Sequence, residues 1–346
     1  MERQEFYEVM KEKVSKKLGA DYIVELKEVF KNNDVKKMGM SIRKPNETIN
    51  PIVYIDEFYN GYFLKEGLKT IDDCVDDILS DLGNRENKMN QLKGINFKLL
   101  TNYNFTKNSI FIKACSPKFN SNSKLAIKNL DSYAASFYID LDKLYGIGDD
   151  DGWKTTKITE EMLDTWSVSK EELFKKAISN TVKYRNPTLM NVVDVLTGNK
   201  NENLLNESEV DFGYDGFGLG LLVFSDATKP NGAENVFRYD LMRDIAKKSG
   251  ESFYVIPSSV QELLLTPIST GMSPYDCRQM VKQVNATVKK DEILGEEVLV
   301  FDREKEVLYN PEKEYSEKEM TELKKFQDDV CKLIAKVKDE IDMDER

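Results

Sequence analysis

The chain has 346 residues, a formal net charge of −11 and no histidine. Without histidine there is no Ser–His or Cys–His nucleophile pair, no ordinary general base near neutral pH and no imidazole zinc ligand. The net charge makes the chain as a whole a poor non-specific nucleic-acid binder, because Lys and Arg supply the counterion-release energy of such binding; a local basic patch stays open.

A hydrophobic content of 40% and an aromatic content of 10% are those of a globular chain with a real core, long enough for two domains. Cys74, Cys115, Cys277 and Cys331 lie far apart with no CxxC pair, which reads as free thiols in a reducing cytoplasm. No apolar run reaches the ~18 residues of a membrane span. The expected protein is therefore cytoplasmic, with no membrane contact and no cofactor.

Taken in order, residues 2–19 place Phe6, Val9, Met10, Val14 and Leu18 at helical spacing, with Gly19 as a stop. Two strand-like runs flank the polar turn 31–34 and predict a hairpin. A third strand, 51–55, leads into a helix in which Ile71, Cys74, Val75, Ile78 and Leu82 share a face. Residues 97–113 read as paired strands around 104–107, 117–131 as a long loop, 132–141 as a strand and 146–153 as a turn tip. Helices are expected after Thr159 and after Ser169, the latter with Glu172 in capping-box position. The polar stretch 198–209 marks a domain boundary. Beyond it come a strand at 217–224, a turn at 229–232, a short run at 236–239 and a helix at 240–249.

The second half is organised around 252–266. Phe253, Tyr254, Val255 and Ile256 form a buried-strand run that Pro257 stops, Ser258 and Ser259 redirect the chain, and Gln261 and Glu262 stand at capping-box spacing before Leu263, Leu264 and Leu265. Pro257, Ser258, Ser259 and Glu262 are thus read as a structural turn. Ser273 caps another helix, and two short strands around 302–305 make a closing hairpin. In the tail, Ser316 and Glu319 form a capping box, and Leu323, Phe326, Val330, Ile334, Val337 and Ile341 leave one apolar stripe. Such a stripe packs on its own body, on a second copy or on a partner.

Each chemical candidate has a plainer reading. Gly213, Gly216, Gly218 and Gly220 fit no phosphate-loop spacing and precede a strand. Asp140 and Asp142 alternate along an expected strand, with Asp149, Asp150 and Asp151 in the turn after it; they are weak candidates for Mg²⁺ or Ca²⁺ ligands, and the spacing matches no EF-hand. Ser258 and Ser259 lack a base. The aromatic groups Tyr54, Phe58, Tyr59, Tyr62, Phe63 and Tyr133, Phe137, Tyr138 read as core, without interleaved Arg and Lys. No catalytic residue is assigned.

Four segments carry a resemblance: NPIVYIDEFYNGY, ITEEMLDTWSVSKEELFKKAISNT, FYVIPSSVQELLLTP and MVKQVNATVKKDEILGEEVLVFDRE. Over residues 50–305 the chain resembles a bacterial domain-of-unknown-function family, number 5688. The resemblance implies an accessory or mobile-element protein of low-GC Gram-positive bacteria and brings no established activity. In that family a His commonly stands before the Glu of the Pro-Ser-Ser turn; Gln261 occupies that place here, which removes imidazole chemistry from it.

The expected fold is α+β: short antiparallel sheets with packed helices in two sub-domains, 1–205 and 206–311, and a C-terminal amphipathic helix, 312–346. The expected function is non-catalytic binding of a macromolecule, specifically a phage or mobile-element inhibitor whose acidic surface occupies the nucleic-acid channel of a host defence protein. A metal-dependent hydrolase or nuclease using the Asp cluster is the alternative. The expected partner is another protein, with a homodimer as the other option.

Overall fold

Asn33 and Asp34 adopt positive φ, a conformation that Asn and Asp tolerate better than most side chains. The turn they form joins β1 (Ile23–Phe30) to β2 (Lys36–Arg43) in continuous register from Ile23 opposite Arg43 to Phe30 opposite Lys36. This is the hairpin that the sequence predicts. In the computed structural model, which describes residues 1–45, 52–64, 69–92, 96–121, 124–146, 155–199, 203–213, 220–227 and 231–344, the chain divides into two units, Met1–Asn96 and Phe97–Arg346.

In the first unit β3 (Ile52–Tyr54) extends the hairpin on the β2 side. The helices are α1 (Arg3–Leu18), α2 (Ile55–Leu64) and α3 (Ile71–Leu92). Phe6, Met10 and Val14 of α1 meet Met40 and Ile42 of β2 and Cys74, Val75, Ile78 and Leu82 of α3, so the apolar faces read from spacing bury together. Asp56, early in α2, accepts from the Tyr7 hydroxyl and the Met38 N–H and ties three elements.

The second unit begins differently from expectation. Residues 97–113 are not paired strands: a 3₁₀ turn (Phe97–Thr101) leads into α4 (Tyr103–Thr106) and a second 3₁₀ turn (Lys107–Ser109), and only β4 (Ile110–Cys115) is extended. The Asn102 side chain accepts from the Phe105 N–H and starts α4, while the Trp166 indole donates to the Leu100 carbonyl at 3.0 Å. Local capping and tertiary packing override the alternating pattern. β5 (Ile127–Leu130) lies in the stretch expected as loop. β4 pairs along β6 (Tyr133–Asp140), every residue of which is buried, and β5 and β7 (Thr155–Lys157) share its other edge. α5 (Leu141–Tyr145) follows β6; α6 (Glu160–Trp166) and α7 (Lys170–Tyr184) start at Thr159 and Ser169, whose hydroxyls accept from Met162 N–H and Glu172 N–H. The turn tip at 147–153 lies outside the described residues, as do 214–219 and 228–230 of the strand and turn expected there.

The remaining elements are β8 (Pro187–Asn191), α8 (Val192–Thr197), β9 (Leu222–Asp226), α9 (Tyr239–Ser249), β10 (Phe253–Ser259), β11 (Glu262–Pro267), α10 (Pro274–Asn285), β12 (Leu299–Asp302), β13 (Val307–Tyr309) and α11 (Glu317–Asp344). Residues 232–237 form a 3₁₀ segment. The strands make one sheet in the order β13-β12-β10-β11-β9-β8. β8 pairs with β9 from Pro187 opposite Asp226 to Asn191 opposite Leu222. The polar stretch 198–209 therefore lies between two paired strands, and the division falls at Asn96 instead of near 205.

Every strand pairing among the described residues is antiparallel, and the fold is α+β. β10 and β11 occupy the centre of the larger sheet. Phe253, Val255, Leu263 and Leu265 enter the main core; Tyr254 and Ile256 face the other way, onto Cys277 and Val281 of α10. Alternation in each strand thus feeds two layers of helices. α10 carries Pro274 at its first position and a capping box between Ser273 and Asp276. α11 docks within its own unit: Val330, Ile334 and Val337 are buried, and the Phe326 ring packs against those of Phe174 and Tyr239. Leu323 and Ile341 at the two ends of the stripe are half-buried.

Candidate functional site: a closed charge cluster around Arg185

Nine consecutive residues, 231–239, are buried although they include Glu234, Asn235 and Arg238. Charged side chains are almost never fully buried unless paired, so this run marks where polar chemistry enters the core. Gly232 is required there. A Cβ on it would come within 2.4 Å of the Gln261 carbonyl oxygen and of Ser225 Oγ, so the run can lie against β9 and the β10–β11 turn only with glycine at that point.

Arg185, just beyond α7, gathers the cluster. Its Nη2 donates to the Tyr138 hydroxyl at 2.6 Å, its Nε stands 3.4 Å from Glu234 Oε1, and Asp140 Oδ2 is 4.0 Å away. The guanidinium lies 4.1 Å from the centroid of the Phe111 ring, a cation–π stack. The Arg185 and Glu234 side chains are 4% and 2% exposed. Asp226 closes the group by accepting from the Asn186 N–H.

Burial, with Asp226 adding to it and Arg185 opposing it, pushes the Glu234 carboxyl up to about 8. Burial and the nearby Glu234 also raise the Tyr138 phenol well above its ordinary value. Glu234 Oε2 has no hydrogen-bond partner among the described residues, which fits a carboxyl that takes up a proton near neutrality. A raised carboxyl beside an arginine is a general-acid arrangement where a substrate can reach it. Here it is enclosed.

A second charged network lies one turn on. Arg238 donates to both Asp240 oxygens at 2.9 Å, and Lys338 of α11 donates to Oδ2. Burial opposes the Asp240 carboxylate, yet these cations hold it below the usual carboxylate range. Beside it an open groove of about 540 Å³ runs along Arg243, Lys247, Phe301, Arg303, Glu304 and Glu306.

The residues singled out from sequence fall as follows. Asp140 and Asp142 do not share a strand face: β6 ends at Asp140, whose carboxylate accepts from the Lys143 N–H and caps α5, and Asp142 is inside that helix. Asp149, Asp150 and Asp151 lie outside the described residues. Among the described residues no group of three or more Cys, Asp or Glu is placed to hold a metal ion. Pro257 does not stop the strand, because β10 runs through it to Ser259, and no helix follows to be capped; Leu263, Leu264 and Leu265 belong to β11, with a register shift between Pro257 and Ser259. The serines act as turn formers. Ser259 Oγ accepts from the Gln261 N–H, and Ser258 donates to Glu262. The turn is then held from both sides, by Ser225 Oγ on the Gln261 carbonyl and by the Val260 N–H on the Glu292 carbonyl.

Sequence reading missed Tyr138, Arg185 and Glu234 as partners. The one signal available was a glutamate and an arginine close to Ala233, Val236, Phe237 and Tyr239 in the run 232–239. No helix among the described residues is long and apolar enough to cross a membrane. No curated protein and no solved structure matches the chain. The family of unknown function DUF5688 matches residues 3–303, and the chain belongs to that family.

Proposed function

We propose that the protein works by binding a macromolecular partner, without turning over a substrate. The observation that carries this reading is the closure of the Arg185–Glu234 cluster: the Glu234 carboxyl is 2% exposed and the Arg185 cation 4%. Such a cluster ties β6, the end of α7, β9 and the 232–237 segment to one another. The groove beside Arg243 is open and lined by both signs of charge, unlike the enclosed, mostly apolar sites that small ligands favour.

The specific form is an acidic inhibitor, of phage or mobile-element origin, that occupies the basic nucleic-acid channel of a host defence protein. Supporting it are the net charge of −11 and the fall of most of the excess acid after Asn96. Opposite charge steers such an encounter and supplies complementarity. The test is capture from host lysate, identification of the protein retained, and reconstitution of the purified pair. Expected are an affinity that falls steeply with salt and displacement of the partner's nucleic acid. A reconstituted complex indifferent to both salt and nucleic acid would contradict the inhibitor form.

A further inference from the structure

One face of the second unit gathers several lysines. α4, the 3₁₀ turn after it, α5 and the C-terminal half of α7 meet there, and Asn180 Nδ2 binds them by donating to the carbonyls of Lys107 and Ile110 at 2.8 and 2.7 Å. Lys107, Lys143, Lys176 and Lys183 belong to these elements. Among the described residues only Lys183 has a carboxylate within ion-pair distance, Glu340 at 3.5 Å; Lys107 reaches the neutral Asn104 side chain, and Lys143 lies 3.3 Å above the Tyr184 ring. Burial, and after it the charges of Lys107 and Lys183, hold the Lys176 ammonium below its ordinary value. Lys183 has a structural reason to be there, since it complements the C-terminal dipole of α7. Lys107 and Lys176 have none.

The same face shows aromatic rings. Tyr184 is 49% exposed and Phe105 38%. Phe105 leans on Tyr145 with centroids 6.0 Å apart, and Tyr184 rests edge-on against Phe111, the ring on which Arg185 stacks. Lys107, Lys143 and Lys176, with no carboxylate in ion-pair distance among the described residues, beside half-exposed rings held from beneath are the components of a platform for unpaired bases. Charges farther away than about 8–10 Å are largely screened at physiological salt, so the local sign governs contact at this face despite the net charge of the chain.

We infer that this face binds a short stretch of single-stranded nucleic acid, with phosphates on Lys107 and Lys176 and a base stacked on Phe105. An acidic polypeptide would use the lysines and leave the rings idle. A duplex would offer no free base. The binding does not depend on the protein partner proposed above, and either can fail without the other.

The test is fluorescence anisotropy of labelled oligothymidylate and oligouridylate with the full chain at low and physiological salt. The variants are Lys107→Gln/Lys176→Gln, Phe105→Ala and, as a control in the exposed first turn of α11, Lys318→Gln, each checked for an unchanged thermal melt. Expected are salt-dependent binding by the wild type, a slope of log K against log salt that becomes shallower by about 1.4 in the double variant (about 0.7 per phosphate contact on a single strand), about a fivefold or greater loss in Phe105→Ala, and no change in Lys318→Gln. Absence of wild-type binding at low salt would overturn the inference whatever the variants do. Equal loss in Lys318→Gln, or displacement by polyglutamate with no effect of Phe105→Ala, would also overturn it, the last outcome assigning the face to an acidic polypeptide.

Discussion

The side chain of Gln327 makes the hydrogen bonds of a missing strand with Leu308: its Oε1 accepts from the Leu308 N–H at 2.9 Å and its Nε2 donates to the Leu308 carbonyl at 2.7 Å. Leu308 lies in β13, the edge of the larger sheet, and Gln327 projects from α11. Asn203 does the same at the opposite edge, accepting from the Leu189 N–H at 2.8 Å and donating to the Pro187 carbonyl at 2.9 Å. Both edges of the sheet are thus covered by a carboxamide, which satisfies backbone groups and denies them to another chain.

Gln327→Leu keeps the volume and removes both bonds, leaving a buried N–H and C=O unpaired. The expected loss is about 2–6 kcal/mol in urea unfolding, at roughly 1–3 for each of the two orphaned groups. A loss under about 0.5 kcal/mol would mean that the edge finds other partners.

Glu234 sets a pH dependence that no histidine can supply. Its folded-state value, raised by burial from 4.5 to about 8, means that the folded protein holds a proton the unfolded chain releases across that window. Its contribution to stability is therefore present at low pH and lost as pH rises from 4.5 to 8. Chemical denaturation of the wild type and Glu234→Gln should show the wild type losing ground to the variant over this range. Parallel curves would contradict the buried, raised carboxyl.

Docking of α11 makes Ile334 a core residue. Ile334→Ala should cost about 2–5 kcal/mol. Truncation after Pro311 should leave a destabilised, aggregating monomer, because it strips the core and uncovers the Leu308 edge together. A truncated chain that stayed folded, with only a fall in oligomer size by light scattering, would assign the stripe to self-association.

The turn serines have a modest structural role. Ser259→Ala removes the acceptor for the Gln261 N–H and should lower stability by about 0.5–1.5 kcal/mol without changing the slope of denaturant unfolding. Loss of partner binding at an unchanged melting temperature would instead make Ser259 part of the working surface.

Much of the fold was legible because its signals are local. The Ser169, Ser273 and Ser316 caps, the polar turn at 31–34 and the stripe of α11 are each written within a few residues, and each element forms. What failed was decided at long range. Leu263 to Leu265 follow capping-box spacing, yet pairing with Phe224, Val223 and Leu222 on one side and β10 on the other makes them a strand. The polar stretch 198–209 looks like a linker only until β8 is seen to pair across it. The charge cluster was invisible for the same reason: Tyr138, Arg185 and Glu234 come from three distant segments, and no spacing rule joins them.

Calorimetric titration of the full chain with Mg²⁺, Mn²⁺ and Ca²⁺, beside Asp140→Ala/Asp142→Ala, tests most directly whether the protein binds or catalyses. The Asp140 carboxylate is engaged by the Lys143 N–H at 2.9 Å and faces Arg185 at 4.0 Å, and a cation this close disfavours a second one. No saturable divalent-ion heat is expected from the wild type, and no difference between it and the variant. Saturable binding lost in the variant, together with metal-dependent hydrolysis by the wild type, would contradict the non-catalytic account.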